Sequence, residues 1–102
     1  MSLPAEYFDE LFADNDDPWA FRTRWYEQRK RDLTLAALPR QRYARVFEPG
    51  CANGELSLRL AQRSDALLCM DMSLRAVELA TQRLSQYSRA QVIQGCLPQD
   101  WP

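Results

Sequence analysis

The sequence predicts an α/β fold built on a parallel sheet. Three short apolar runs alternate with longer segments of helical periodicity, and each run ends in a small-residue or acidic turn. Parallel neighbours need crossover connections of about a dozen residues or more, which the helical segments supply.

Local patterning marks each element in turn. Residues 4–13 place Tyr7, Phe8, Leu11 and Phe12 on one helical stripe, with Ser2 available as a cap. Asp14-Asn15-Asp16-Asp17-Pro18 is loop by composition; Asp17 can cap the next helix, and Pro18 is tolerated in a first helical turn. A longer helical region, with a restart at Thr23, runs to about Leu38 and is stopped by Pro39. Ala44 to Glu48 reads as a short buried strand entering Pro49-Gly50, and Gly54 to Arg63 carries Leu56, Leu60 and Ala61 at helical spacing. Ala66 to Met70 is the second apolar run, ending in Asp71. Ser73 can cap a helix whose buried stripe is Ala76, Val77, Leu79, Ala80 and Leu84. Ala90 to Gln94 is the third strand, closed by Gly95.

With 102 residues, 46% hydrophobic and 26% charged, the chain has the size and composition of one soluble domain with a modest core. No apolar run approaches the ~18–20 residues of a membrane helix, and no signal-peptide core opens the sequence, so the expected location is cytoplasmic, without a membrane partner. The net charge of −1 conceals an asymmetry. Residues 1–21 hold six acids and no base, whereas residues 22–45 hold eight bases against Glu27 and Asp32. Such a stretch is either a nucleic-acid footprint or a solvated helix face opposite its acidic neighbour, and the overall balance favours the second. Cys51, Cys69 and Cys96 are too few and too widely spaced for a zinc site, and their odd number suits a reducing compartment. Histidine is absent, which removes the commonest general base and the commonest metal ligand; no metal is expected.

The strongest local signal is Val46-Phe47-Glu48-Pro49-Gly50-Cys51-Ala52-Asn53-Gly54-Glu55. A strand, a small-residue turn and a helix start bring backbone N–H groups to one point, where ligands enter open α/β sheets. A phosphate-binding loop would need G-x-x-x-x-G-K-[ST], and no lysine lies near this turn. A dinucleotide fingerprint beginning at Gly50 would meet Ala52 and Glu55 where it needs glycines. Carboxylates at Glu48 and Glu55 disfavour a pyrophosphate and suit a ligand carrying an ammonium and a sulfonium. The second signal is Asp71, 21 residues after Gly50 at a strand end. It can accept from both hydroxyls of a ribose, or it can cap the helix after it.

Glu48-x-Gly50-x-x-x-Gly54, followed by a strand ending in Asp71, resembles the first two motifs of class I S-adenosylmethionine-dependent methyltransferases. Tyr7-Phe8, Asp17-Pro18-Trp19, Trp25 to Arg31 and Leu33 to Pro39 narrow the resemblance to the nodulation protein S-like family, over nearly the whole chain. The resemblance implies a Rossmann-like sheet of methyltransferase type and S-adenosyl-L-methionine as cofactor. It also implies N-methylation of a small-molecule or sugar amine. Residues 1–39 would form a helical cap or lid, and residues 40–102 the first half of the cofactor-binding domain. Glu48, Gly50, Cys51, Ala52 and Gly54 would form the cofactor turn, with Glu48 near the methionine amino group. Asp71 would hold the ribose, Met72 would line the adenine, and Cys96 and Leu97 would flank it. Cys96 departs from the family pattern, which has an acid at that position. Trp25 and Tyr26, with Arg22 and Arg29, are candidates for a lid over the methionine end, the alternative being that the aromatics pack the helix. Tyr26 and Glu27 are the nearby candidates for a proton acceptor, and the base can equally lie elsewhere.

The same resemblance implies seven strands where this sequence has three, in the order 3-2-1. The expectation is therefore a truncated or partial copy, with weak cofactor binding and little turnover by these residues alone. Strand one, expected to be the most buried, would be left as an open apolar edge for an oligomer or partner chain to cover. The competing readings are a non-catalytic cofactor-binding or sheet-completing module, a nicotinamide-dependent oxidoreductase, and a nucleic-acid methyltransferase using the basic helix.

Overall fold

The computed structural model describes residues 4–13 and 24–102. The elements are α1 (Ala5–Ala13), α2 (Trp25–Ala37), β1 (Tyr43–Pro49), α3 (Glu55–Ala61), β2 (Ser64–Asp71), α4 (Leu74–Arg83) and β3 (Ala90–Gln94). The strands are parallel in the order β1-β2-β3. Glu48 lies opposite Cys69, and Asp71 opposite Gln94, so the three strand ends come level where the turns begin.

Each expected element is present, and the differences lie at the boundaries. β1 and β2 start earlier than their apolar runs, because main-chain pairing continues below them: Tyr43 sits opposite Ser64, and its N–H donates to Arg63 O at 2.8 Å. Arg42 ties the same end together through Asp65 at 2.7 Å. α3 begins at Glu55 rather than Gly54, whose φ of +87° makes it a left-handed N-cap. The expected Ser2 cap, the 14–18 loop with its Asp17 cap, the restart at Thr23, Trp19 and Arg22 lie outside the described residues.

Strand one is not the most buried strand. β2 is, with Leu67, Cys69 and Met70 almost fully enclosed, because it has a paired neighbour on each side while β1 pairs with β2 alone among the described residues. Leu60 and Ala61 of α3, Ala80 of α4 and the adjoining Leu84 close over Leu67 and Cys69, and Leu35 of α2 joins this core. Side chains alternate along a strand, so Phe47 faces away from this core, where it meets Trp101 edge-on at 5.4 Å.

Two polar devices dock the N-terminal helices. Ser73 caps α4 as expected, its hydroxyl accepting from Ala76 N at 3.2 Å. The same hydroxyl donates to Asp9 Oδ1 of α1 at 2.6 Å, and Asp9 Oδ1 also accepts from Arg75 N at 3.2 Å. A carboxylate from another helix thus sits on the positive end of α4. On the α1 stripe Phe12 is buried, while Tyr7 stays exposed, edge-on to Phe8. The second device is Arg63, which donates to Leu35 O at 2.7 Å, Gln41 O at 2.9 Å, Leu38 O at 3.5 Å and to Arg40 O. One guanidinium therefore satisfies the C-terminal carbonyls of α2 and holds that helix to the sheet.

Candidate functional site

The turn after β1 holds three residues in the left-handed region. Gly50, Ala52 and Gly54 have φ of +67°, +50° and +87°. Gly54 cannot carry a side chain without conflict, since a Cβ there would lie 3.1 Å from Ala80 Cα. Ala52 is an alanine in a conformation that favours glycine, and it is held there by the strand beside it. Asp71 Oδ2 accepts the Ala52 N–H at 2.8 Å, and Asp71 Oδ1 accepts the Ser73 N–H at 3.0 Å. Cys51 N donates to Met70 O at 3.0 Å, which continues the β1–β2 pairing into the turn.

Asp71 thus points at the bend and also caps the backbone at Ser73. These two bonds use two of the roughly four acceptor positions of a carboxylate.

Glu48 lies beneath the turn rather than open at its mouth. It is buried, accepts from Ser57 Oγ at 2.5 Å and from Cys69 Sγ at 3.7 Å, and burial pushes its carboxyl up to about 7 against the lowering effect of those donors. The Asp71 carboxylate adds to the rise. Cys51 is buried beside it, and its hydrogen bond with Cys69 together with burial pushes the Cys51 thiol up, so Cys51 is an inert packing group. Glu55 is also not a bare charge: Arg83 Nη2 pairs with it at 3.2 Å, and Arg83 Nε donates to Asn53 O at 2.9 Å. The electrostatic case against a pyrophosphate is therefore weaker than residue types alone imply. Burial removes part of the charge of Glu48, and Arg83 offsets that of Glu55.

A cleft of about 250 Å³ separates this turn from α2. The helix does face the turn, but through Glu27, Lys30, Arg31 and Thr34. The expected lid residues Trp25, Tyr26 and Arg29 are directed elsewhere. Trp25 is 71% exposed with Arg29 over its ring at 6.0 Å, and Tyr26 is 58% exposed with Lys30 over its ring at 5.2 Å. They neither line the cleft nor pack the core. The reason is rotational: positions three and four apart share a helix face, and Glu27, Lys30, Arg31 and Thr34 form one such row. Leu35 and the Arg63 clasp set which row turns inward. Of the two proton-acceptor candidates only Glu27 lines the cleft, where it pairs with Lys30 at 3.4 Å.

A second cleft, of about 430 Å³, opens beyond Asp71 between the start of α1 and the end of β3, with Met72, Gly95 and Cys96 among its walls. Gln94 Nε2 donates to Met72 O at 3.2 Å and fixes that backbone. Cys96 N donates to Asp100 Oδ2 at 2.8 Å, so this amide is already engaged. Sequence reasoning missed Lys30, Arg31, Thr34, Ser57 and Asp100. A helical-wheel count from Leu35 had the signal for the first three; nothing local marks the others.

The geometry has clear counterparts. A protein from Pseudomonas syringae described as a methyltransferase is 64% identical over 78% of this chain and 51% of its own, with a TM-score of 0.69. The N-methyltransferase NodS from Bradyrhizobium japonicum WM9, solved with S-adenosyl-L-homocysteine, is 27% identical over 87% of this chain and 45% of its own, with a TM-score of 0.78. Phosphoethanolamine N-methyltransferase 1 of Haemonchus contortus, 17% identical over 92% of this chain and 22% of its own, with a TM-score of 0.63, bears on the fold alone. The chain spans about half the length of the first two structures. No curated protein matches it. The nodulation protein S model matches residues 8–97, and on that match the chain belongs to the nodulation protein S (NodS) family, with a Rossmann-like methyltransferase fold.

Proposed function

We propose that this chain forms the S-adenosyl-L-methionine-binding part of a methyltransferase that transfers to an amine of a small molecule or sugar. The observation that carries the reading is Asp71 directed at the left-handed turn, at the level ends of the parallel strands. The residues present fit the cofactor. Acids and bases both line the turn cleft, Glu48 and Glu55 on the side of the turn and Lys30 and Arg31 beside Glu27 on α2, as a zwitterionic amino-acid end requires. Lys30 and Arg31, rather than Arg29, are then the cations for its carboxylate, and Glu48 with the turn from Gly50 to Gly54 holds the ammonium side. Asp71 accepts from the ribose, Met72 offers an apolar surface to the adenine, and Cys96 and Leu97 border it.

The bound cofactor supplies an activated methyl group on a sulfonium. The chain's own work is alignment and exclusion of water, and Glu27 is the cleft acceptor for a proton lost by an amine. The chain spans about half of the matched structures, so we infer that acceptor recognition draws on polypeptide corresponding to their other half, set against the free edge of β1. No described helix is long and apolar enough to cross a membrane.

Titration of the 15N-labelled chain with S-adenosyl-L-homocysteine and, separately, NAD tests the reading. Shifts at Gly50 to Gly54, Lys30 and Asp71 with the first ligand only are expected. Equal or stronger response to NAD would overturn it. The sheet-completing alternative is supported by the edge position of β1, and binding of neither ligand by a stable oligomer paired through β1 would favour it.

A further inference from the structure

We propose that Asp9 is a positioning residue for the cofactor, a latch that holds α1 at the second cleft and steadies Asp71; the role rests on the cofactor reading above. The helix lies against α4 and is pinned at two places. Phe12 is buried near its C-terminal end, and Asp9 reaches the start of α4 about one turn earlier. Toward its N-terminus the helix opens to solvent, with Tyr7 43% exposed. There Pro4 and Ala5 form part of the wall of the cleft that Met72, Gly95 and Cys96 also line. Pro4 O accepts from Tyr7 N at 3.1 Å, so this tip moves with the helix.

Ser73 connects this helix to Asp71. It is fully buried; its hydroxyl donates to Asp9 Oδ1 at 2.6 Å, and its N–H donates to Asp71 Oδ1 at 3.0 Å. Asp71 Oδ2 in turn holds Ala52 N at 2.8 Å. A run of hydrogen bonds therefore leads from α1 through Ser73 and Asp71 to the turn after β1. Arg75 N also donates to Asp9 Oδ1 at 3.2 Å, so one carboxylate oxygen on the positive end of α4 carries two charge-assisted bonds. A ligand lying along Met72 meets both ends of the run, Asp71 at one and the tip of α1 at the other. Its binding orders α1, and by linkage an ordered α1 tightens its binding. Removing the Asp9 carboxylate cuts the run while the packing of Phe12 stays.

The test follows amide exchange of the 15N-labelled full chain with and without S-adenosylhomocysteine, and titrates the same ligand into Asp9→Ala and Asp9→Asn. Saturating ligand is expected to slow exchange in α1 by about fivefold or more, beyond any slowing at the strand starts Tyr43 and Ser64 at the opposite end of the sheet. Asp9→Ala should bind about tenfold more weakly and lose the effect on α1. Asp9→Asn keeps an acceptor oxygen for the Ser73 hydroxyl and the Arg75 N–H, and should stay within about threefold of the unmodified chain. A lower melting temperature in Asp9→Ala with unchanged affinity would make Asp9 a brace of the fold and overturn the proposal. Equal slowing at α1 and at the strand starts of the unmodified chain would overturn it too, and that result needs no variant to fold. If the unmodified chain binds no S-adenosylhomocysteine, the cofactor reading itself falls, and this proposal with it.

Discussion

Asp71 receives the Ala52 N–H at 2.8 Å through one carboxylate oxygen and the Ser73 N–H at 3.0 Å through the other. One side chain at the end of β2 therefore holds the left-handed turn after β1 and the entry to α4. Asp71→Asn keeps the shape but loses the charge and one acceptor. It should cost about 1–3 kcal/mol of stability and weaken S-adenosylhomocysteine binding about tenfold or more. Thermal unfolding and calorimetric titration check the two effects separately; a stability loss with unchanged affinity would leave Asp71 as a brace alone.

The glycines of the turn should not be equivalent. Gly54→Ala places a Cβ within 3.1–3.2 Å of Ala80 at a φ of +87°, so backbone strain and overpacking combine to about 2–4 kcal/mol. Gly50 has φ +67° with open space around it, so Gly50→Ala should cost only the backbone part, about 1 kcal/mol. Denaturant midpoints of the two variants measure the difference, and the reverse order would contradict the packing.

Glu48 should give stability a distinct pH dependence. Its carboxyl is raised from 4.5 to about 7 by burial, so the folded chain binds a proton that the unfolded chain releases. Its contribution is fully present below 4.5 and is lost as pH rises to about 7, on the order of 3 kcal/mol in all. Glu48→Gln should flatten that slope. A cationic ligand beside Glu48 favours the ionised form, so cofactor binding near pH 6–7 should release up to about one proton. Titrations in buffers of different ionisation enthalpy read that release.

Arg63 should matter at a distance. Its guanidinium engages carbonyls at Leu35, Leu38, Arg40 and Gln41, and Lys cannot reproduce that fork. Arg63→Lys should destabilise the chain by about 2 kcal/mol and raise amide exchange through α2 more than through α4. Uniform loss of protection across both helices would argue against a local clasp.

The strand–helix order, the two left-handed glycines, the Ser73 cap and the position of Asp71 at a strand end were legible in the sequence. Each depends on near neighbours: apolar periodicity, a turn that only small residues can make, a hydroxyl three residues before the N–H it accepts. The strand boundaries were blurred because pairing such as Tyr43 with Ser64 is decided by the partner strand, not by local hydrophobicity.

What only the tertiary structure decided is the state and direction of the charged groups. Glu48 and Glu55 read alike, yet one is buried on Ser57 and Cys69 and the other is paired with Arg83. Trp25 and Arg29 read as candidates for a lid, with helix packing as the alternative for the aromatic, yet Lys30 and Arg31 are the residues of α2 that line the cleft. Asp100 lies four residues past the position where an acid was sought, and the chain's return brings it there. Periodicity and turn chemistry are local and are written in the sequence. Desolvation, helix rotation and contacts between distant residues depend on what the fold assembles around a side chain.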